Sequence, residues 1–129
     1  MRFGYTILYV RDVAASLEFY ERAFSQRRRL LHESGEYAEL ETGTTTLAFA
    51  SRELAAANLP EGASAAAEDE PPTVFEVCFV SDDVEGDHAR AVEAGAQPVS
   101  EPQVKPWGQH VAYVRDLEGN LIELASPAP

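Results

Sequence analysis

The feature that most restricts how this chain can fold is a pattern that occurs twice: an apolar strand-like run, a capping aspartate, and an amphipathic stretch. Val10-Arg11-Asp12-Val13 closes the run from Phe3 to Val10, and Asp82-Asp83-Val84 closes the run from Thr73 to Ser81. In the first copy Tyr5, Ile7 and Tyr9 alternate with Thr6, Leu8 and Val10, the period of a strand, and both faces are apolar enough to be buried. Asp12 stands where a helix N-cap belongs, and Val13, Leu17, Tyr20 and Phe24 follow at spacings that line one side of a helix. In the second copy Asp83 takes the cap and Val84 to Ala94 the helix, stopped by Gly95. Aligning the caps sets a register in which Tyr5 corresponds to Glu76, Ile7 to Cys78 and Tyr9 to Val80. Val77 and Phe79 then face the helix, as Thr6 and Leu8 do.

Three strands are expected after each helix. Behind the first come Arg29 to Glu33, Tyr37 to Glu41 and Thr45 to Ala50, the last two joined through Thr42-Gly43. Behind the second, Pro98 to Gln103 is at best a weak edge strand, because its prolines cannot donate to a ladder. A hairpin closes the chain: His110 to Val114, a tight turn from Asp116 to Asn120, and Leu121 to Leu124. Between the modules, Ser51 to Pro72 dissolves into Ala, Glu, Asp and Pro. It reads as a linker with at most a helical turn near Leu54 to Asn58, mobile around Gly62 to Glu70. The organisation is one domain, 1–129, with module one 1–50, linker 51–72 and module two 73–129, each module βαβββ.

Composition limits the partners. A chain of 129 residues fills one domain. Twenty-two acidic against ten basic side chains give a net charge of −12, which repels nucleic acid and anionic membrane and favours a neutral or cationic ligand. The single cysteine, the absence of an apolar leader and the lack of any membrane-length apolar run point to a soluble, cytoplasmic protein.

The candidate site residues come from misfits. Glu123 interrupts a strand otherwise built for burial, so its carboxylate must be solvated in a cavity, paired or bound. Lys105-Pro106-Trp107-Gly108 delivers the only Trp on a loop stiffened by Pro and released by Gly, as a pocket wall would require. Glu76 joins Glu123 as an acid–base candidate in the chosen register. Cys78, on the inward face, reads as a small buried hydrophobe. His32, His88 and His110 lack ligand-like spacing and read as structural or exposed. Arg27-Arg28-Arg29 reads as a solvated strand start. No phosphate-binding loop, dinucleotide fingerprint, nucleophile elbow or zinc spacing occurs.

The two βαβββ modules, the opening YTILYVRDVAASLEFYERAF, the AVEAGA helix end and the closing PWGQHVAYVRDLEGNLIEL resemble the vicinal oxygen chelate superfamily of glyoxalases, bleomycin-resistance proteins and extradiol dioxygenases. The resemblance implies an α+β fold in which each module curls into a half-barrel and a ligand lies between the two. Enzymes of that superfamily carry metal ligands on the first and last strands of each module. Those places fall here on Tyr5, Phe49, Glu76 and Glu123, of which only the two glutamates are good donors. No cofactor is therefore expected, and a divalent metal held by Glu76 and Glu123 is the alternative.

Two function classes stay open, and with them whether the protein is an enzyme. The first is a binding protein that sequesters an aromatic or cationic small molecule, a drug or a metabolite. Tyr5, Tyr9, Phe49, Trp107 and Tyr113 would supply stacking surface, and Glu76 and Glu123 polar selection. The second is a metal-dependent glyoxalase-like lyase or isomerase, or a dioxygenase, using Glu76 and Glu123. A homodimer is expected, because modules with open sheet faces and strand edges invite pairing between chains.

Overall fold

Both capped helices of the sequence repeat form, each directly after a strand. The structure, a computed structural model, describes residues 1–61 and 66–128. Asp12 Oδ1 accepts a hydrogen bond from the Ala15 amide at 3.0 Å, and Asp83 Oδ1 accepts one from the Gly86 amide at 3.0 Å. Each thereby satisfies an amide that the first helical turn leaves without a partner.

The chain divides into two compact units, Met1–Glu21 with Ser25–Ala65, and Arg22–Phe24 with Ala66–Pro129. The first holds β1 (Tyr5–Val10), most of α1 (Val13–Phe24), β2 (Arg28–Leu31), β3 (Tyr37–Leu40), β4 (Thr46–Ser51) and α2 (Arg52–Asn58). Its sheet runs β1-β4-β3-β2, with β1 and β4 parallel and the other pairs antiparallel. The second holds β5 (Val77–Val80), α3 (Val84–Glu93), β6 (Gln97–Val104), β7 (His110–Arg115) and β8 (Leu121–Ala125). Its sheet repeats the order as β5-β8-β7-β6, again with the outer pair β5 and β8 parallel. Two βαβββ modules are thus present.

In the first unit α1 supplies the core. Val13, Leu17 and Tyr20 are buried with Leu8, Val10 and Phe49, and the Tyr20 and Phe49 rings meet edge to face at 4.8 Å. Only that face of β1 is covered: Tyr5 and Ile7, on the other, are 54% and 42% exposed, so the expected burial of both faces does not occur within the unit. In the second unit α3 lies over β6, β7 and β8. The last turn of α1 belongs here too: the Phe24 ring stacks on Phe79 at 5.1 Å, and Arg22 Nη2 donates to the Ala94 carbonyl at 3.0 Å. Val77 and Phe79 are the less exposed residues of β5, as the Asp83 register requires, though the ring that Phe79 meets belongs to α1 rather than α3.

Four expectations are corrected. The linker does not begin at Ser51, which ends β4 and caps α2, its Oγ accepting from the Leu54 amide at 3.0 Å. The strand expected from Thr73 starts at Val77, because β8 offers partners only along Val77↔Ile122 to Val80↔Ala125 and the approach runs through Pro71-Pro72. The weak strand at Pro98 is a full one of eight residues; as the sheet's edge it tolerates proline, and register shifts between Pro98 and Ser100 and between Ser100 and Gln103 absorb the misfit. Residues 62–65 of the segment expected to be mobile lie outside the described residues. Its remainder is tied down: the Arg115 guanidinium donates to the carbonyls of Ala67 at 2.6 Å, Glu70 at 2.6 Å, Glu68 at 3.3 Å and Gly119 at 2.9 Å.

Candidate functional site

Strand register brings the acidic residues together. In the second sheet Cys78 pairs with Glu123, Glu123 with Tyr113 and Tyr113 with Ser100, one rung crossing β5, β8, β7 and β6. Side chains alternate along a strand, so Ile122 and Leu124 turn toward the core while Glu123 and Tyr113 stay on the sheet's open face. Glu76 stands two residues before Cys78, on the same face, and shares a hydrogen bond with Glu123.

A hydrogen bond between two carboxyl groups needs a proton on one of them. Glu76 is the group so raised: the bond to Glu123, loss of solvent and the neighbouring negative charge push it up to about 7. The same surroundings act on the rest of the rung. Loss of solvent, then the charges of Glu123 and Glu76, push the Cys78 thiol up to about 11, and the same causes raise the Tyr113 hydroxyl. At neutral pH Cys78 is therefore a thiol and a poor nucleophile. The residue itself is exposed, contrary to its expected place in the core, because it alternates onto the sheet's open face with Glu123 while Val77 and Phe79 take the other.

Glu76, Glu123 and Tyr113, all anticipated, thus form one cluster. Trp107 is not part of it. It sits at the turn of the β6–β7 hairpin, 59% exposed, its indole Nε1 donating to Gln109 Oε1 at 2.7 Å. The hairpin reaches that turn beyond the rung where the Ser126 amide meets the His110 carbonyl, three residues past Glu123 and so roughly 10 Å along the sheet. Phe49 is also corrected. It is 0% exposed and buried against Tyr20, so it lines no ligand surface. The repeat equates Ile7 with Cys78, and Ile7 pairs with Ala48, so the position equivalent to Glu123 is Ala48.

The first unit carries its own open face. Tyr5 and Tyr9 lie there as expected, joined by a pair that sequence reasoning missed: the Tyr37 hydroxyl donates to Glu39 Oε2 at 2.8 Å, and Arg29 Nε lies 3.6 Å from Glu39 Oε1. Burial and the Glu39 carboxylate raise Tyr37. The signal was available, because Glu39 interrupts an apolar strand just as Glu123 does. The histidines fit the structural reading: His88 is 5% exposed on the buried face of α3, His110 Nδ1 meets Glu85 Oε1 at 3.0 Å, and His32 bonds Ser34.

A divalent metal does not fit the donors. Glu76 and Glu123 offer two carboxyl groups, against the six or so oxygens a hard cation takes. Among the described residues no three His, Cys, Asp or Glu side chains converge to hold an ion.

With the two repeated modules in view, comparison with known proteins defines the class: the family model of the Glyoxalase/Bleomycin resistance protein/Dioxygenase superfamily matches residues 2–124, and the chain belongs to that superfamily. Solved structures agree on the fold. A glyoxalase-related enzyme from Fulvimarina pelagi superposes with a TM-score of 0.86 at 19% identity, over 98% of this chain and 88% of its own. TioX from Micromonospora sp. ML1 gives 0.72 at 26% identity, over 98% of both chains. A glyoxalase/bleomycin resistance protein/dioxygenase family enzyme from Burkholderia phytofirmans PsJN gives 0.76 at 22% identity, over 95% of this chain and 96% of its own. No curated protein matches the sequence. Among the described residues no helix is long and apolar enough to cross a membrane.

Proposed function

We propose that the chain is a small-molecule binding protein whose second unit captures a cationic or hydrogen-bond-donating group on an organic ligand. The observation that carries this is the juxtaposition of the Glu76 and Glu123 carboxyl groups on an open sheet face beside Tyr113, where one raises the other. An ammonium group can replace the proton of their hydrogen bond, turning one bond between like groups into charge-assisted bonds to both carboxylates, while the Tyr113 ring flanks the cation. The net charge of −12 draws such a ligand in. A second reading rests on the same pair: a carboxyl raised to about 7 beside a second carboxyl is placed to exchange protons near neutral pH, as a proton-transfer enzyme needs.

Titration with benzylamine tests the first reading, since its ammonium keeps its charge across the neutral range. Affinity is expected to rise as pH passes about 7, where Glu76 gives up its proton, and to fall about tenfold or more in Glu123→Gln. Affinity that is flat between about pH 6 and 8 and untouched by Glu123→Gln would sink it.

A further inference from the structure

A cavity lies wholly within the first unit. It has a volume of about 160 Å³ and is lined by Ile7, Tyr9 and Ala50 from β1 and β4, Tyr37 from β3, Leu54, Ala55 and Asn58 from α2, and Leu59 just after it. We propose that this cavity binds a monocyclic aromatic molecule bearing one hydroxyl or amino donor, of the phenol or aniline class.

The space exists because two facing positions are alanines. Ala50 on the sheet and Ala55 on the inner side of α2 are both buried, and neither side chain reaches across the gap. The volume suits one ring. An apolar cavity of about 150 Å³ in another protein takes up benzene, and a bicyclic body exceeds it. The walls are chiefly apolar, from Ile7, Ala50, Leu54, Ala55 and Leu59, and Tyr9 and Tyr37 add two ring faces.

The polar requirement follows from Tyr37. Its hydroxyl proton is committed to Glu39, and Arg29 stands behind that carboxylate. Toward an occupant this hydroxyl can only accept, so a ligand that meets it must donate. A bare hydrocarbon would leave the oxygen without that bond, and a carboxylate ligand would meet a lone pair backed by Glu39. A neutral ring with one O–H or N–H satisfies both the volume and the acceptor. The inference is independent of the carboxyl pair on the second sheet, because every wall and the acceptor belong to the first unit.

The test is calorimetric or saturation-transfer titration of the full chain with p-cresol, toluene and 2-naphthol. p-Cresol is expected to bind about tenfold more tightly than toluene, the difference one hydrogen bond makes, and 2-naphthol not at all. Ala55→Leu is expected to abolish p-cresol binding with the melting temperature unchanged or raised, since the leucine fills the void. Tyr37→Phe is expected to bring p-cresol down to the toluene level and to leave toluene as it was. The proposal is overturned if p-cresol does not bind, if toluene binds equally well, if 2-naphthol binds as tightly as p-cresol, or if a folded Ala55→Leu protein keeps its p-cresol affinity within about twofold.

Discussion

Glu76 and Glu123 show how much of a residue's chemistry comes from its neighbours. An unfolded Glu76 titrates near 4.5, whereas the folded one keeps its proton to about 7. Between those values the native state binds the extra proton, so stability falls as pH rises through that window. Glu76→Gln keeps a donor for Glu123 and removes the titration. Thermal melts are therefore expected to coincide for variant and wild type near pH 5 and to favour the variant near pH 8; parallel curves would mean that another group titrates. Glu123 was legible in the sequence because a carboxylate stands out between Ile122 and Leu124. Phe49 was misassigned for the opposite reason. Leu47, Ala48, Phe49 and Ala50 are apolar on both faces, so a slip of one residue leaves no mark until Ile7↔Ala48 pairing sets it.

The least local element is the short arm at residues 66–70. Its carbonyls meet Arg115, buried at the end of β7, and the turn after β7 closes on itself as Asp116 Oδ1 accepts from the amides of Glu118 at 2.9 Å and Asn120 at 2.8 Å. Gly119 completes the fit with a φ of 89° and a position where an added Cβ would come within 2.7 Å of the Ala67 carbonyl carbon. Arg115→Leu keeps the apolar stem but strips the carbonyls of their donor. It is expected to cost roughly 2–3 kcal/mol and to speed amide exchange at Glu68 to Glu70. Unchanged exchange there would show that the arm is held by something other than Arg115. Helices α1 and α3 were read correctly because their caps and periodicity are local, whereas α2, expected as at most a turn near Leu54 to Asn58, runs from Arg52. β5 was drawn too long and β6 too weak, because strand length depends on a partner rather than on the strand's own residues.

The whole molecule leaves Phe3, Tyr5 and Ile7 of the first unit, and Phe75 and Val80 of the second, exposed around its strands. Apolar side chains of this size at sheet faces and edges favour association, and a homodimer is expected. Sedimentation at micromolar concentration measures it: a 14.1 kDa species alone would refute the dimer. Taken alone, the sequence determined the two βαβββ modules, both helix caps and the acidic character of the second sheet. All of these are written in spacings of a few residues and in summed charge. Only the tertiary structure decided that Cys78, Glu123 and Tyr113 share a rung, that Glu76 meets Glu123 and is raised by it, and that α2 borders a cavity over Ala50. Those facts depend on register between strands some 45 residues apart in sequence, as Cys78 and Glu123 are, and on how far water is shut out once they pair.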